Sequence, residues 1–157
     1  MLRPPLHTPQ IEDGYCVPAC ARMALSQFGI DVSLEHLAKH LGVRKDVGVP
    51  LSSLKRLEDD RIGVDVTSVE SVDELRAMLD SNKAVIALLV TVPEMEGWES
   101  GKAVHTVLVV EATDDMITYH DPHLDYGPVS VGTDAFLLGW VERDNTCALF
   151  SRKGGEG

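Results

Sequence analysis

At 157 residues the chain has the length of one domain, and folding should bury about 68–70% of the surface its unfolded form exposes, so no staple is required. Fourteen Lys and Arg against twenty-five Asp and Glu leave a formal charge of −11, which repels polyphosphate and anionic membrane surfaces and argues against nucleic acid as a partner. Three cysteines, an amino terminus without an apolar run and no stretch near ~18 consecutive apolar residues predict no disulfide framework, no export and no membrane insertion, and so a reducing, cytoplasmic setting.

The first predicted element is a helix that starts at or just after Cys16 and ends near Phe28. Pro18 is tolerated in a first turn, where its missing amide would be unpaired anyway, and Gly29 is a C-terminal breaker. Asp31 and Ser33 offer caps to a second helix over Leu34 to Leu41, with Leu34, Leu37, Ala38 and Leu41 on one stripe. His36 and His40 lie off that stripe and read as a solvated face. A loop from Gly42 to Pro50 carries the basic pair Arg44-Lys45. Leu51 to Asp60 reads as a helix, Gly63 to Thr67 as a short strand, and Ser71 to Leu79 as a helix capped by Ser71 with Glu74 three residues on.

The second half changes period. Lys83 to Val90 is an apolar run that fits a central strand, and Thr91 to Ala103 is a loop. Val104 to Ala112, a turn at Thr113-Asp114-Asp115, and Met116 to His120 read as a two-stranded hairpin. Gly127 to Val131 reads as a further strand, Thr133 to Trp140 as a helix opened by Thr133 or Asp134, and Thr146 to Phe150 as a last strand. The expected organisation is one α+β domain over residues 1–151, an N-terminal helical layer packed on a C-terminal antiparallel sheet, with a mobile tail over 152–157.

The chemistry gathers at three places. An isolated cysteine is most often a small buried hydrophobe, but Cys16 opens a helix, where free amides and the positive end of the dipole favour thiolate over thiol. His105 begins one strand of the hairpin and Asp121 follows its partner, so folding back at Asp114 returns Asp121 to within a residue or two of lying opposite His105. A thiol needs a base, and the base needs an acceptor that fixes its tautomer. Cys16, His105 and Asp121 in those roles make a triad. Gln10, six residues before Cys16, is near enough to donate its side-chain amide to an oxyanion beside the Cys16 amide. Trp98, in the loop before the His105 strand, is placed to wall a substrate groove, and the neighbouring Glu94, Glu96 and Glu99 to attract a basic peptide. Cys20 reads as a buried spectator one turn below Cys16 and Cys147 as core, while His120 and His123, flanking Asp121, lack a third ligand for a metal.

Gln10 with Cys16, then Ala19-Cys20, then His105-Thr106-Val107-Leu108-Val109-Val110, then Tyr119-His120-Asp121-Pro122, resemble the bacteriocin-processing, double-glycine leader peptidase domains and their free-standing relatives within the papain-like cysteine peptidases. The resemblance spans Gln10 to about Phe150. It implies a papain-like fold and a cysteine peptidase acting on a peptide or protein, with Cys16 as nucleophile, His105 as base and acid, Asp121 orienting it, Gln10 as oxyanion donor, and neither metal nor other cofactor. The family cleaves after two glycines. The position after the nucleophile is usually glycine there and is Val17 here, so Val17 lies where a substrate backbone would approach and narrows that approach. The same triad also serves acyl transfer to an amine or thiol, and an idle relative would only dock a peptide.

Overall fold

The computed structural model describes residues 2–44 and 46–154; Lys45 of the expected basic pair and Gly155 to Gly157 of the expected tail lie outside them. Among the described residues four α-helices, α1 (Cys16–Gln27), α2 (Leu34–Leu41), α3 (Val72–Asp80) and α4 (Thr133–Val141), surround a sheet of β1 (Ile62–Ser68), β2 (Ala84–Val90), β3 (Val104–Ala112), β4 (Met116–His120), β5 (Val129–Gly132) and β6 (Thr146–Arg152). The strand order is β1-β6-β2-β3-β4-β5, with every pairing antiparallel.

Local chemistry sets the helix ends. Ser33 Oγ accepts the His36 amide and Ser71 Oγ the Glu74 amide, each satisfying one of the donors a helix start leaves free. Gly29 and Gly42 adopt positive φ, and the bonds from Gly29 N–H to Ser26 O and from Ile30 N–H to Leu25 O, both 3.0 Å, close α1 in a Schellman motif. Two expected details change. The helix expected over Leu51 to Asp60 is a 3-10 helix ending at Leu57, because the carboxylates beyond it bind backbone amides: Asp59 Oδ1 takes Arg61 and Ile62, and Glu58 Oε1 takes Val64, which launches β1. The cap of α4 is Gly132, since Thr133 spends its hydroxyl on Thr113 O.

The helical layer lies on the sheet as expected, and α3 and α4 cover the opposite face. Alternation along β2 separates the two cores: Ala84 and Ile86 face α1, α2 and the 3-10 helix, while Val85, Ala87 and Leu89 face α3 and α4 with Phe136 and Trp140. A strand buried on both faces explains why β2 reads as an unbroken apolar run. The paired chain runs past the expected boundary: Arg152 ends β6 and the Lys153 amide bonds to Arg61 O at 2.8 Å.

Candidate active site

Cys16 is the first residue of α1. The first helical bond runs from Ala19 N–H to Tyr15 O at 3.1 Å, so the Cys16 and Val17 amides have no partner within the helix, and no acidic side chain lies in the first turn to compete for them. The thiol is half-buried and lines a cleft of about 620 Å³, together with Gln10, Val17, Trp98, His105 and His123.

A β-bulge brings the carboxylate to the imidazole. Near the turn Ala112 pairs with Ile117 and Glu111 with Thr118, but beyond it Val109 pairs with Tyr119 and Leu108 with His120, leaving Val110 as an extra residue on β3. Continuing by one pair sets Asp121 across from Val107, which shares its face of the strand with His105. Without the bulge Asp121 would oppose Leu108, which faces α1, because a one-residue slip exchanges the faces. The side chains meet diagonally, with His105 Nε2 2.6 Å from Asp121 Oδ1.

Asp121 is completely buried, and both its oxygens are engaged. Oδ1 also accepts the His123 amide at 2.8 Å, and Oδ2 accepts the Trp98 indole N–H at 2.9 Å. Burial opposes its charge, yet the hydrogen bond and charge of His105, with those two donors, hold its pKa below the usual value. His105 is likewise buried. Burial disfavours its charged form, but hydrogen bonds and charge from Asp121 and Cys16 outweigh that and raise its pKa to about 9. Nε2 is committed to Asp121, which leaves Nδ1 for the thiol. For Cys16 burial again opposes ionisation, and the hydrogen bond and charge of His105, followed by hydrogen bonds from Thr106, lower its pKa. The arrangement favours a thiolate–imidazolium pair in which the proton resides on the ring.

The remaining expected residues fall as follows. The Gln10 amide bonds to Pro122 O at 2.7 Å, which pins Gln10 beside Asp121, and its Oε1 is buried without a hydrogen-bond partner. Val17 lines the cleft but packs mainly into the α1 core. Trp98 lines the cleft and does more than wall it: its ring lies 5.0 Å from that of His105 and 4.2 Å from that of His123. Cys20 and Cys147 are free and fully buried, and burial pushes their thiols up, that of Cys147 to about 12. His120 and His123 diverge, for His120 Nδ1 meets His7 Nδ1 at 2.9 Å while His123 stacks on Trp98.

Thr106 and the backbone of His123 were not signalled by the sequence. Thr106 sits inside an apolar strand, yet its buried Oγ1 has no hydrogen-bond partner, and the residue helps to lower the Cys16 pKa. His123 acts on Asp121 through its amide, which residue type does not reveal.

Comparison with known proteins bears on the fold. In solved structures the fold matches a protein named as a C39-like peptidase from Bacillus anthracis (TM-score 0.74, 15% identity, covering 96% of each chain). It also matches a double glycine motif protease from an AMS/PCAT transporter in complex with the leader peptide (TM-score 0.71, 18% identity, 95% of this chain and 92% of that one). A third match is the peptidase domain of Streptococcus ComA, a bi-functional ABC transporter of a quorum sensing pathway (TM-score 0.68, 13% identity, 95% and 98%). No curated protein matches the sequence. Among the described residues no helix is long and apolar enough to cross a membrane. The fold is therefore that of the papain-like C39 peptidases, and since the Peptidase_C39 like family model matches residues 6–144, the chain belongs to the Peptidase_C39 like family.

Proposed function

We propose that this chain is a cysteine peptidase that hydrolyses a peptide bond in a peptide or protein, with Cys16 as nucleophile, His105 as base and acid, Asp121 as the residue orienting His105, and Gln10 as oxyanion donor. The observation that carries the reading is the placement of His105, held by Asp121 at 2.6 Å and lining the same cleft as Cys16, whose charge helps keep the ring protonated. The Cys16 thiolate attacks the scissile carbonyl carbon, and the new oxyanion is held by the Cys16 amide and the Gln10 side chain. As the C–N bond breaks, His105 gives its proton to the leaving amine. Water then attacks the thioester, His105 takes a proton from it, and the acid product departs from the restored thiolate.

The leader-peptide complex of one structural relative supports a substrate cut after a Gly-Gly-type site. Val17 and Trp98 would contact it as cleft-lining residues. Three unpaired cysteines support a reducing, cytoplasmic compartment.

Alkylation is the direct test. Iodoacetamide near pH 6 should label Cys16 and spare Cys20 and Cys147, and Cys16→Ala should remove both labelling and the new termini generated in a peptide library. Labelling of Cys20 to the same extent, or library cleavage that persists in Cys16→Ala, contradicts the reading.

A further inference from the structure

We infer that Arg143 is a specificity-determining residue of the cleft, reading a side-chain carboxylate of an extended peptide about two to four residues on the acyl side of the bond to be cut. The inference rests on the peptidase reading of Cys16 and His105 above.

Strand order carries it. The cleft runs along the strand ends, from His123 beyond β4, to His105 at the start of β3, to Leu88 near the end of β2, to the turn between α4 and β6 that holds Arg143. Leu88 pairs with Thr106, and the β2–β6 register continued one pair past Ala87 and Cys147 sets Thr146 beside Leu88. Arg143 is thus reached from His105 by crossing two strand spacings, roughly 10 Å, away from Asp121. An extended peptide covers that distance in about three residues. The interval is apolar, bounded by Leu88, Val104, Val49 and Leu51. The support is fixed, because α4 crosses β2 so closely at Gly139 that a Cβ there would run into the Val90 carbonyl.

Direction follows from the chemistry. The leaving amine must lie against His105, and the far flank of that ring is filled by Trp98 and His123, with centroids at 5.0 and 6.4 Å. The acyl residues therefore run the other way, over Val104 and Leu88 to Arg143. Arg143 is exposed and forms no ion pair among the described residues, although Glu142 and Asp144 flank it. Among the described residues that line the cleft it is the sole Lys or Arg, while Asp13 and Asp46 sit on the wall built where Gly14 packs on Gly48. In a chain of net charge −11, a substrate carboxylate finds an unpaired cationic partner in the cleft at this end, whereas the His105 imidazolium at the other is already matched by Asp121 and Cys16.

The test uses peptides ending in a glycyl acyloxymethyl ketone that differ only in Glu, Gln or Lys at the second and third residues back, with the rate of Cys16 alkylation as readout and iodoacetamide as the peptide-free control. The Glu peptides should react about 3- to 10-fold faster than the Lys peptides at low salt, with the difference fading near 0.5 M salt. Arg143→Glu should reverse the order, Arg143→Gln should level it, and iodoacetamide should react equally with all three proteins. Equal rates for the three peptides alongside an intact iodoacetamide rate overturn the assignment of Arg143 alone. A Cys16 that resists iodoacetamide overturns the peptidase reading as well.

Discussion

The indole N–H of Trp98 donates to Asp121 Oδ2 at 2.9 Å while the same ring packs on His105. Trp98→Phe keeps a ring over His105 and removes one donor from a buried carboxylate. The charged form of Asp121 then loses support, its pKa rises, and the His105 imidazolium beside it is less favoured than at about 9. A lost hydrogen bond to a charged group is worth roughly 1.5–3 kcal/mol before relaxation, so a downward shift of about one unit in the alkaline limb of the alkylation profile is expected. Measuring alkylation rate against pH checks this, and an unmoved limb would mean the bond does not support the ion pair.

Asp121→Asn should act more strongly. The amide cannot stabilise an imidazolium, and the ring is free to take the wrong tautomer, a change that costs about 10⁴ in turnover in other triads. The Cys16 pKa should return toward that of an ordinary thiol, because its lowering depends first on His105 among the favourable contributions. The acid limb of alkylation therefore moves to higher pH, which titration of thiolate absorbance follows directly.

Folding stability carries the same signature with opposite signs from the two partners. His105, raised from 6.5 to about 9, retains a proton that the unfolded chain loses, so by itself it makes stability fall as pH rises from 6.5 through 9. Cys16, lowered from 9.0, has released a proton that the unfolded thiol keeps, so by itself it makes stability rise in the window between its folded value and 9.0. In the native protein the slopes offset each other. Cys16→Ala removes the second while Asp121 still raises His105, so its Tm should drop more steeply just above pH 6.5 than that of the native chain, over a window that closes below 9 because the Cys16 contribution to His105 is gone. Parallel curves would show that the two groups do not share a proton.

How much of this was legible depended on the range of each signal. Cys16 at a helix mouth is local, announced by Pro18 and the apolar period behind it, and the hairpin bringing His105 toward Asp121 is announced by two strands around Thr113-Asp114-Asp115. The extra residue in that hairpin was not legible, for Val109 and Val110 are both β-branched and nothing in the alternation marks which is unpaired. Nor was the Trp98 bond, since an irregular loop has no period from which to infer a direction. The placement of α3 and α4 on the second face follows from β2 being apolar on both sides, which the sequence displays, but their sidedness depends on long-range crossings that it does not.

Deleting Val110 tests the bulge itself. A continuous β3–β4 register would turn Asp121 onto the α1 face, away from the side of the strand that His105 occupies. Iodoacetamide labelling near pH 6 should then fall to the level of an ordinary thiol. Val110→Ala, which keeps the residue count, should leave it unchanged, and circular dichroism on both proteins separates a lost register from a lost fold. Full Cys16 reactivity in a folded deletion protein would mean the register does not position the carboxylate.

Gln10 is pinned through its backbone to Pro122, and its buried Oε1 has no partner, so nothing else on that oxygen fixes the side chain. In the proposed reaction its amide N–H groups are needed only once negative charge develops on the carbonyl oxygen. Gln10→Ala should accordingly lower kcat by about 10² to 10³ with KM little changed, since a donor used only in the transition state contributes nothing to ground-state binding. Alkylation of Cys16, which forms no oxyanion, should keep its native rate and pH profile. A fall in alkylation that matches the fall in turnover would place Gln10 among the groups that support the thiolate instead.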